Sequence, residues 1–299
     1  MGEGVTSVLV VGGTGLLGQY VGQEGLRRGY RVFGSHRSRQ APDDPRVVWR
    51  RLDITDSEAV KAVVQEVRPD LVVNAAAMTD VDGCERAPEE AKHVNETAAG
   101  YLAVASKAVG AAFVHASTDY VFDGTGPATE DTVPHPLGTY GQTKLWGEAL
   151  VRKADPQALI LRLSAVFGWN RVSGKTNAVT WILQKLETGR EVPLFHDQRV
   201  TPTYAKTAAE VAFDLMDRRA SGVFHVACEE CLSRADMGRS IADVFRVPNP
   251  KLIPTSIASA ALLAKRPPAP CLIVRKVQEA LRRSLPTFRT CLEDMKADR

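Results

Sequence analysis

Seven residues near the amino terminus, Gly12-Gly13-Thr14-Gly15-Leu16-Leu17-Gly18, constrain the fold more than any other stretch of the chain. They follow an apolar run, Val5 to Val11, and open a segment with helical periodicity, Leu16 to Arg28. A turn between such elements needs residues without a Cβ. They take up unusual φ/ψ, and they let backbone N–H groups approach an anion at the positive end of the helix. The context predicts the first βα unit of a parallel sheet, with a dinucleotide on Gly12, Thr14, Gly15, Leu16, Leu17 and Gly18. A ligand-free tight turn would need the glycines, but not their place between a first strand and a first helix.

The same rhythm continues. Strands are predicted at Arg31 to Gly34, Val47 to Leu52, Leu71 to Asn74, Ala112 to Ala116 and Ala158 to Leu163. Crossover helices are predicted at Ser57 to Val67, Pro88 to Val109 and Thr139 to Lys153. Six strands with intervening helices give an α/β fold, a doubly wound parallel sheet of the Rossmann type. Beyond Ser164 the rhythm breaks, with helices expected near Thr176 to Thr188, Ala205 to Arg218 and Ser233 to Phe245, and a last one at Ile273 to Arg283 after the prolines at 267, 268 and 270. The expected division is a dinucleotide-binding domain over 1–165 with a return segment at 197–225, and a smaller C-terminal substrate lobe over 166–196 and 226–299.

Charge and cysteine content narrow the partners. Lys and Arg number 38 against 35 Asp and Glu, a net +3, and no basic run carries interleaved aromatics, so nucleic acid is not an expected partner. No apolar stretch reaches the ~18 residues of a membrane span. Val8 to Val11 lacks the basic region that precedes a signal peptide's apolar core. Five cysteines, at 84, 228, 231, 271 and 291, make an odd, thinly spread set that fits free thiols in the cytoplasm better than a disulfide framework. Cys228 and Cys231 have no second pair at zinc-site distance, so no metal is expected.

The end of the second strand selects the dinucleotide. An acidic residue there would accept from a ribose 2′-hydroxyl, but the chain reads Ser35-His36-Arg37-Ser38-Arg39. Arg37 and Arg39 can pair with a 2′-phosphate, which favours NADP (NADPH) over NAD; the alternative is a solvated loop. Asp53 and Ile54, after the third strand, are placed to flank adenine.

Tyr140 and Lys144 lie four apart at the start of a predicted helix and project from one face. A lysine cation beside a tyrosine favours the phenolate and moves its pKa toward the working range. Ser117 and Thr118 end the fifth strand, at the sheet edge where open α/β folds bind ligands, and their hydroxyls can polarise a carbonyl. The set describes hydride transfer from a nicotinamide: Tyr140 supplies the proton, Lys144 holds the ribose and tunes Tyr140, and a hydroxyl orients the oxygen. No histidine enters this scheme, and His115, inside a strand, reads as a core residue.

The glycine loop, Asn74-Ala75-Ala76-Ala77, Ser117-Thr118-Asp119-Tyr120-Val121-Phe122-Asp123-Gly124, and Tyr140 to Lys144 followed by Gly147-Glu148 resemble the extended short-chain dehydrogenase/reductases. Within them the chain is most similar to the dTDP-4-dehydrorhamnose reductases, from about Val8 to about Leu292. Asp197-Gln198 before Thr201-Pro202-Thr203, and Arg266-Pro267 ahead of Leu272 and Lys276, add to the likeness. The resemblance implies NADPH-dependent reduction of the C4 ketone of a nucleotide-linked 6-deoxy-hexulose. By matching position it implies Thr118, Tyr140 and Lys144 as the catalytic set with Ser117 as an alternative hydroxyl, Ala75 and Ala76 at the cofactor, and Tyr120 and Asn177 at the substrate. The chain departs from the pattern at Ala165-Val166-Phe167-Gly168 and at Arg199-Val200. Arg199 either meets a substrate phosphate or is a solvated loop charge. Two further readings share the resemblance: a nucleotide-sugar epimerase with bound NAD, and a non-catalytic partner like the methionine adenosyltransferase β subunit. Related enzymes pair two helices across a two-fold axis, so a homodimer through 88–109 and 139–153 is possible by analogy.

Overall fold

The computed structural model describes residues 6–37 and 42–299. Its strands in chain order are β1 (Ser7–Val11), β2 (Arg31–His36), β3 (Val47–Arg51), β4 (Leu71–Asn74), β5 (Ala112–Thr118), β6 (Leu159–Leu163), β7 (Val192–Phe195), β8 (Arg199–Val200), β9 (Gly222–His225), β10 (Leu232–Ser233) and β11 (Leu252–Thr255). Its helices are α1 (Leu16–Arg27), α2 (Ser57–Val67), α3 (Val81–Arg86), α4 (Pro88–Lys92), α5 (Ala98–Ala108), α6 (Thr139–Ala154), α7 (Ala178–Glu187), α8 (Ala205–Asp217), α9 (Arg234–Val244), α10 (Arg275–Leu281) and α11 (Phe288–Ala297).

Seven strands form one sheet in the order β3-β2-β1-β4-β5-β6-β9, every pair parallel. The sequence suggests six; the seventh, β9, comes from the 197–225 segment. A parallel sheet covered on both faces needs strands that are apolar throughout, and Val8, Leu9, Val10 and Val11 are all buried. Alternation then divides them, with Val8 and Val10 packing among α1, α8 and α7, and Leu9 and Val11 packing toward α2 and α5. The order reverses between β1 and β4, which opens a crevice at their carboxyl ends. The remaining strands make two small sheets, β10 with β8 and β11 with β7, against α9, with β7 also on α7. Among the described residues no helix is long and apolar enough to cross a membrane.

Three expectations are corrected here. The helix predicted over Pro88 to Val109 is broken by a π-helical turn at His93–Thr97, because Asn95 turns inward and its amide bonds both the N–H and the carbonyl of Met78. The helix ending near Arg283 is not the last. After Pro286, Thr287 caps α11, and Phe288, Cys291, Leu292 and Met295 bury one helical stripe in the main core. The free-thiol reading fails for one pair. Cys231 and Cys271, 40 residues apart, are disulfide-bonded at a Cα separation of 5.7 Å. Cys84, Cys228 and Cys291 are free and buried.

Candidate active site

The turn from β1 to α1 is shaped by close backbone approach. A Cβ on Gly18 would lie 2.2 Å from the Gly12 carbonyl oxygen, so only glycine lets the helix start so near the strand. A cleft of about 580 Å³ runs from this turn along the ends of β2 and β4, lined by Gly12, Thr14, Gly15, Arg37, Ile54, Ala75 and Ala76. Arg37 is exposed at its edge, and no carboxylate stands at the end of β2. Arg39 lies outside the described residues. Asp53 does not line the cleft, because its carboxylate folds back onto the backbone N–H and hydroxyl of Thr55.

A second cavity, about 430 Å³, adjoins the first, and Ala75, Ala77, Thr79 and Lys175 line both. Leu16, Leu17, Ser117, Thr118, Tyr120, Tyr140, Lys144 and Asn177 face it. The helix carrying Tyr140 and Lys144 is held at both ends of its first turns. Glu85 accepts from the Thr139 N–H at 2.7 Å and its hydroxyl at 2.9 Å, capping α6 with a negative charge at its positive end. A Cβ on Gly141 would lie 2.1 Å from the Tyr120 carbonyl oxygen, so α6 rests directly on the 119–121 turn. The rings of Tyr120 and Tyr140 consequently meet edge to face at 5.6 Å.

Hydrogen bonding assigns the residues different work. The Ser117 hydroxyl donates to Glu148 at 2.5 Å, and Glu148 also receives Arg162 at 2.7 and 2.9 Å in a fully buried pair. That hydroxyl is committed beneath the floor, which leaves Thr118 as the one turned to the cavity. Thr118 accepts from the Tyr120 N–H at 3.2 Å and donates to Asp119 at 3.0 Å. Burial raises the Asp119 carboxyl to about 6, against the pull of its bonds from Ser164 and Thr118.

The tyrosine departs from its expected state. Burial raises the Tyr140 pKa above the ordinary phenol value, with Thr118 pulling it the other way. Lys144 does not offset this, because its Nζ points to the Ala116 carbonyl at 2.7 Å and to His115 Nε2 at 3.3 Å. Burial lowers Lys144 itself to about 8, opposed by Glu148. Tyr140 is therefore a protonated acid at neutral pH.

On the lobe side two expected residues are otherwise engaged. Asn177 caps α7 through a reciprocal pair with Thr180 and donates to the Gly168 carbonyl at 2.8 Å, although it borders the cavity. Arg199 lies exposed on β8, donates to the Cys231 carbonyl at 2.6 Å, and lines neither cavity. An arginine that does face the cavity is Arg234, which the sequence reading passed over. Its Nε donates to Gln198 at 3.2 Å, no ion-pair carboxylate reaches it among the described residues, and Arg266 repels it electrostatically. Arg266 pairs with Asp82 at 3.0 Å and keeps a buried Nη1 without a partner. Arg266 belonged to a recognised pattern, whereas Arg234 follows an unremarkable Leu-Ser pair and carried no local signal.

Comparison with known proteins places these features. A family model described as the RmlD substrate binding domain matches residues 6–299. The probable low-salt glycan biosynthesis reductase Agl14 of Haloferax volcanii is 40% identical over 96% of this chain and 96% of its own length. The methionine adenosyltransferase 2 subunit beta of Xenopus tropicalis is 35% identical, covering 82% of this chain and 74% of the relative. The crystal structure of dTDP-4-dehydrorhamnose reductase from Bacillus anthracis in complex with NADP superposes with a TM-score of 0.88 at 26% identity, covering 99% of this chain and 100% of that one.

Proposed function

The chain belongs to the RmlD substrate binding domain family, and on that premise we propose that it is an NADPH-dependent reductase acting on the C4 ketone of a nucleotide-linked 6-deoxy-hexulose. One observation carries the reading: Thr118, Tyr140 and Lys144 open onto one cavity that runs into the glycine-turn cleft. The cleft fits a dinucleotide. Gly12 on its wall has a positive φ and a Cβ there would press on Ala76 at 3.0 Å, Gly15 lines it beside Thr14, and at the β2 end it meets Arg37 rather than a carboxylate. NADP in the B. anthracis relative supports the same choice.

NADPH bound there supplies the hydride. Tyr140, protonated and buried, gives its proton to the carbonyl oxygen as the carbon is reduced. Thr118 turns its hydroxyl from Asp119 to orient that oxygen. Glu148 and Arg162, buried under the floor, fix Ser117 and with it the end of β5. Arg234, a guanidinium without an ion-pair partner on the cavity wall, suits a substrate whose sugar is carried on a diphosphate.

The test is titration of the full chain with NADPH and NADH, then single-turnover oxidation of the bound NADPH by dTDP-4-dehydro-L-rhamnose. Oxidation with tighter NADPH binding is expected. Tight binding without oxidation by any nucleotide-linked 4-keto sugar would instead favour the partner-subunit reading that the likeness to methionine adenosyltransferase subunit beta raises.

A further inference from the structure

The segment that leads from β6 to α7 is fastened to α1, the helix that the glycine turn opens. The buried Gln19 amide donates to the Trp169 carbonyl at 3.1 Å and accepts from the Arg171 N–H at 3.2 Å, while the Tyr20 hydroxyl accepts from the Trp169 N–H at 3.0 Å. Beyond Arg171 the chain folds onto Asn170, whose amide accepts from the Ser173 N–H at 3.0 Å and donates to the Lys175 carbonyl at 3.1 Å. At the far end Asn177 caps α7 and donates back to the Gly168 carbonyl. The backbone at Lys175 is thus held from both sides.

The Lys175 side chain takes no part in this bonding. It is exposed, no carboxylate pairs with it among the described residues, and it lines both the glycine-turn cleft and the cavity beside it. Of the described residues on both spaces, Ala75, Ala77, Thr79 and Lys175, it alone carries a charge. Other cations are placed differently. Lys144 Nζ is turned to the Ala116 carbonyl, Arg234 donates to Gln198 and lines the cavity only, and Arg37 lines the cleft only, at the β2 end.

The position has an electrostatic consequence. A dinucleotide at the glycine turn and a nucleotide-linked sugar in the cavity bring two diphosphates into adjoining spaces. Like charges at close quarters repel, more so where protein excludes water, so each ligand would weaken the other. A cation within reach of both removes that penalty, and a compact ammonium on a flexible four-carbon stem can serve two anions. We propose that Lys175 is a binding residue shared by the two ligands, its ammonium pairing with phosphate of the dinucleotide and of the sugar nucleotide so that each binds more tightly when the other is present. This rests on the reductase reading above. By linkage, the gain is the same in both directions.

Calorimetry on the full chain tests it without turnover. dTDP and UDP are titrated in parallel into the unaltered protein, with and without saturating NADP+. With NADP+ present, nucleoside diphosphate should bind about tenfold more tightly, and NADP+ should gain the same factor in return. In Lys175→Met the factor should fall to less than about twofold, as the charge that couples the sites is gone. A second readout needs no variant. Acylation of Lys175 by an N-hydroxysuccinimide ester, followed by mass spectrometry, should fall further with NADP+ and nucleoside diphosphate together than with either alone. No coupling with either nucleoside diphosphate, coupling that persists in Lys175→Met, or acylation that the ligands leave unchanged overturns the inference and leaves the reductase reading intact. Failure of the unaltered protein to bind NADP+ or NADPH would remove the reductase reading, and the shared lysine with it.

Discussion

The glycine-turn cleft and the cavity beside it share a wall but are assembled differently. The cleft draws on contiguous pieces, the β1–α1 turn, the end of β2 and the Asn74 to Ala77 run, each read from a few neighbouring residues. The cavity's outer wall is gathered from α9 and the 165–178 segment, far apart in the chain. There a residue's type says little about its task. Asn177 and Arg199 are spent on local structure, and Arg234 faces the cavity instead. A polar side chain in a loop satisfies the nearest unpaired backbone group first, and only what is left over can meet a ligand.

Substitutions can sharpen this contrast. The largest effect belongs to the cavity, at Tyr140. Tyr140→Phe should cut turnover by about two orders of magnitude or more with NADPH affinity nearly unchanged, as measured by steady-state rates beside a binding titration. Undiminished rate would separate the tyrosine from the chemistry. Next come the two lobe arginines. Arg234→Leu should raise KM for the nucleotide-linked sugar by about 10- to 100-fold, the range for losing a charged hydrogen-bonding partner. Arg199→Leu should change it by less than about twofold, as expected of an exposed side chain. The reverse ranking would restore Arg199 as the substrate's partner and break the comparison. A more modest effect than that of Arg234 is expected at the cleft's edge, where Arg37→Asp should swing the NADPH-to-NADH affinity ratio by about tenfold toward NADH because an exposed charge is screened. An unchanged ratio would place Arg37 away from the 2′-phosphate.

The same contrast explains what the sequence made legible. Strand and helix identities over the first 165 residues came from periodicity, and the doubly wound class followed because parallel strands joined by crossover helices have few arrangements. Tyr140 and Lys144 share a face by helix geometry alone. Sequence gave no sight of how buried charges settle. The tyrosine was expected to titrate lower beside its lysine, and burial raises it because that lysine is turned to Ala116 and His115. His115 read as a core residue because nothing local shows that Asn74 and Lys144 meet it from different elements. The π-helical turn depends likewise on Asn95 reaching Met78, a contact 17 positions back. α11 was different: its apolar stripe is present in the sequence, masked by the charged residues between.

The Cys231–Cys271 bond closes a loop that begins three residues before Arg234 and ends five residues after Arg266. Arg234 on the cavity wall and Arg266, paired with Asp82, thus travel on one tethered loop. Closing 40 residues of chain removes freedom from the unfolded lobe worth roughly 4 kcal/mol in the chain-entropy model, a gain the central sheet does not share. Opening that bond would leave the sheet and the glycine turn their own contacts and weaken the lobe alone, so that thiol chemistry would grade affinity for the sugar while the dinucleotide cleft kept its shape.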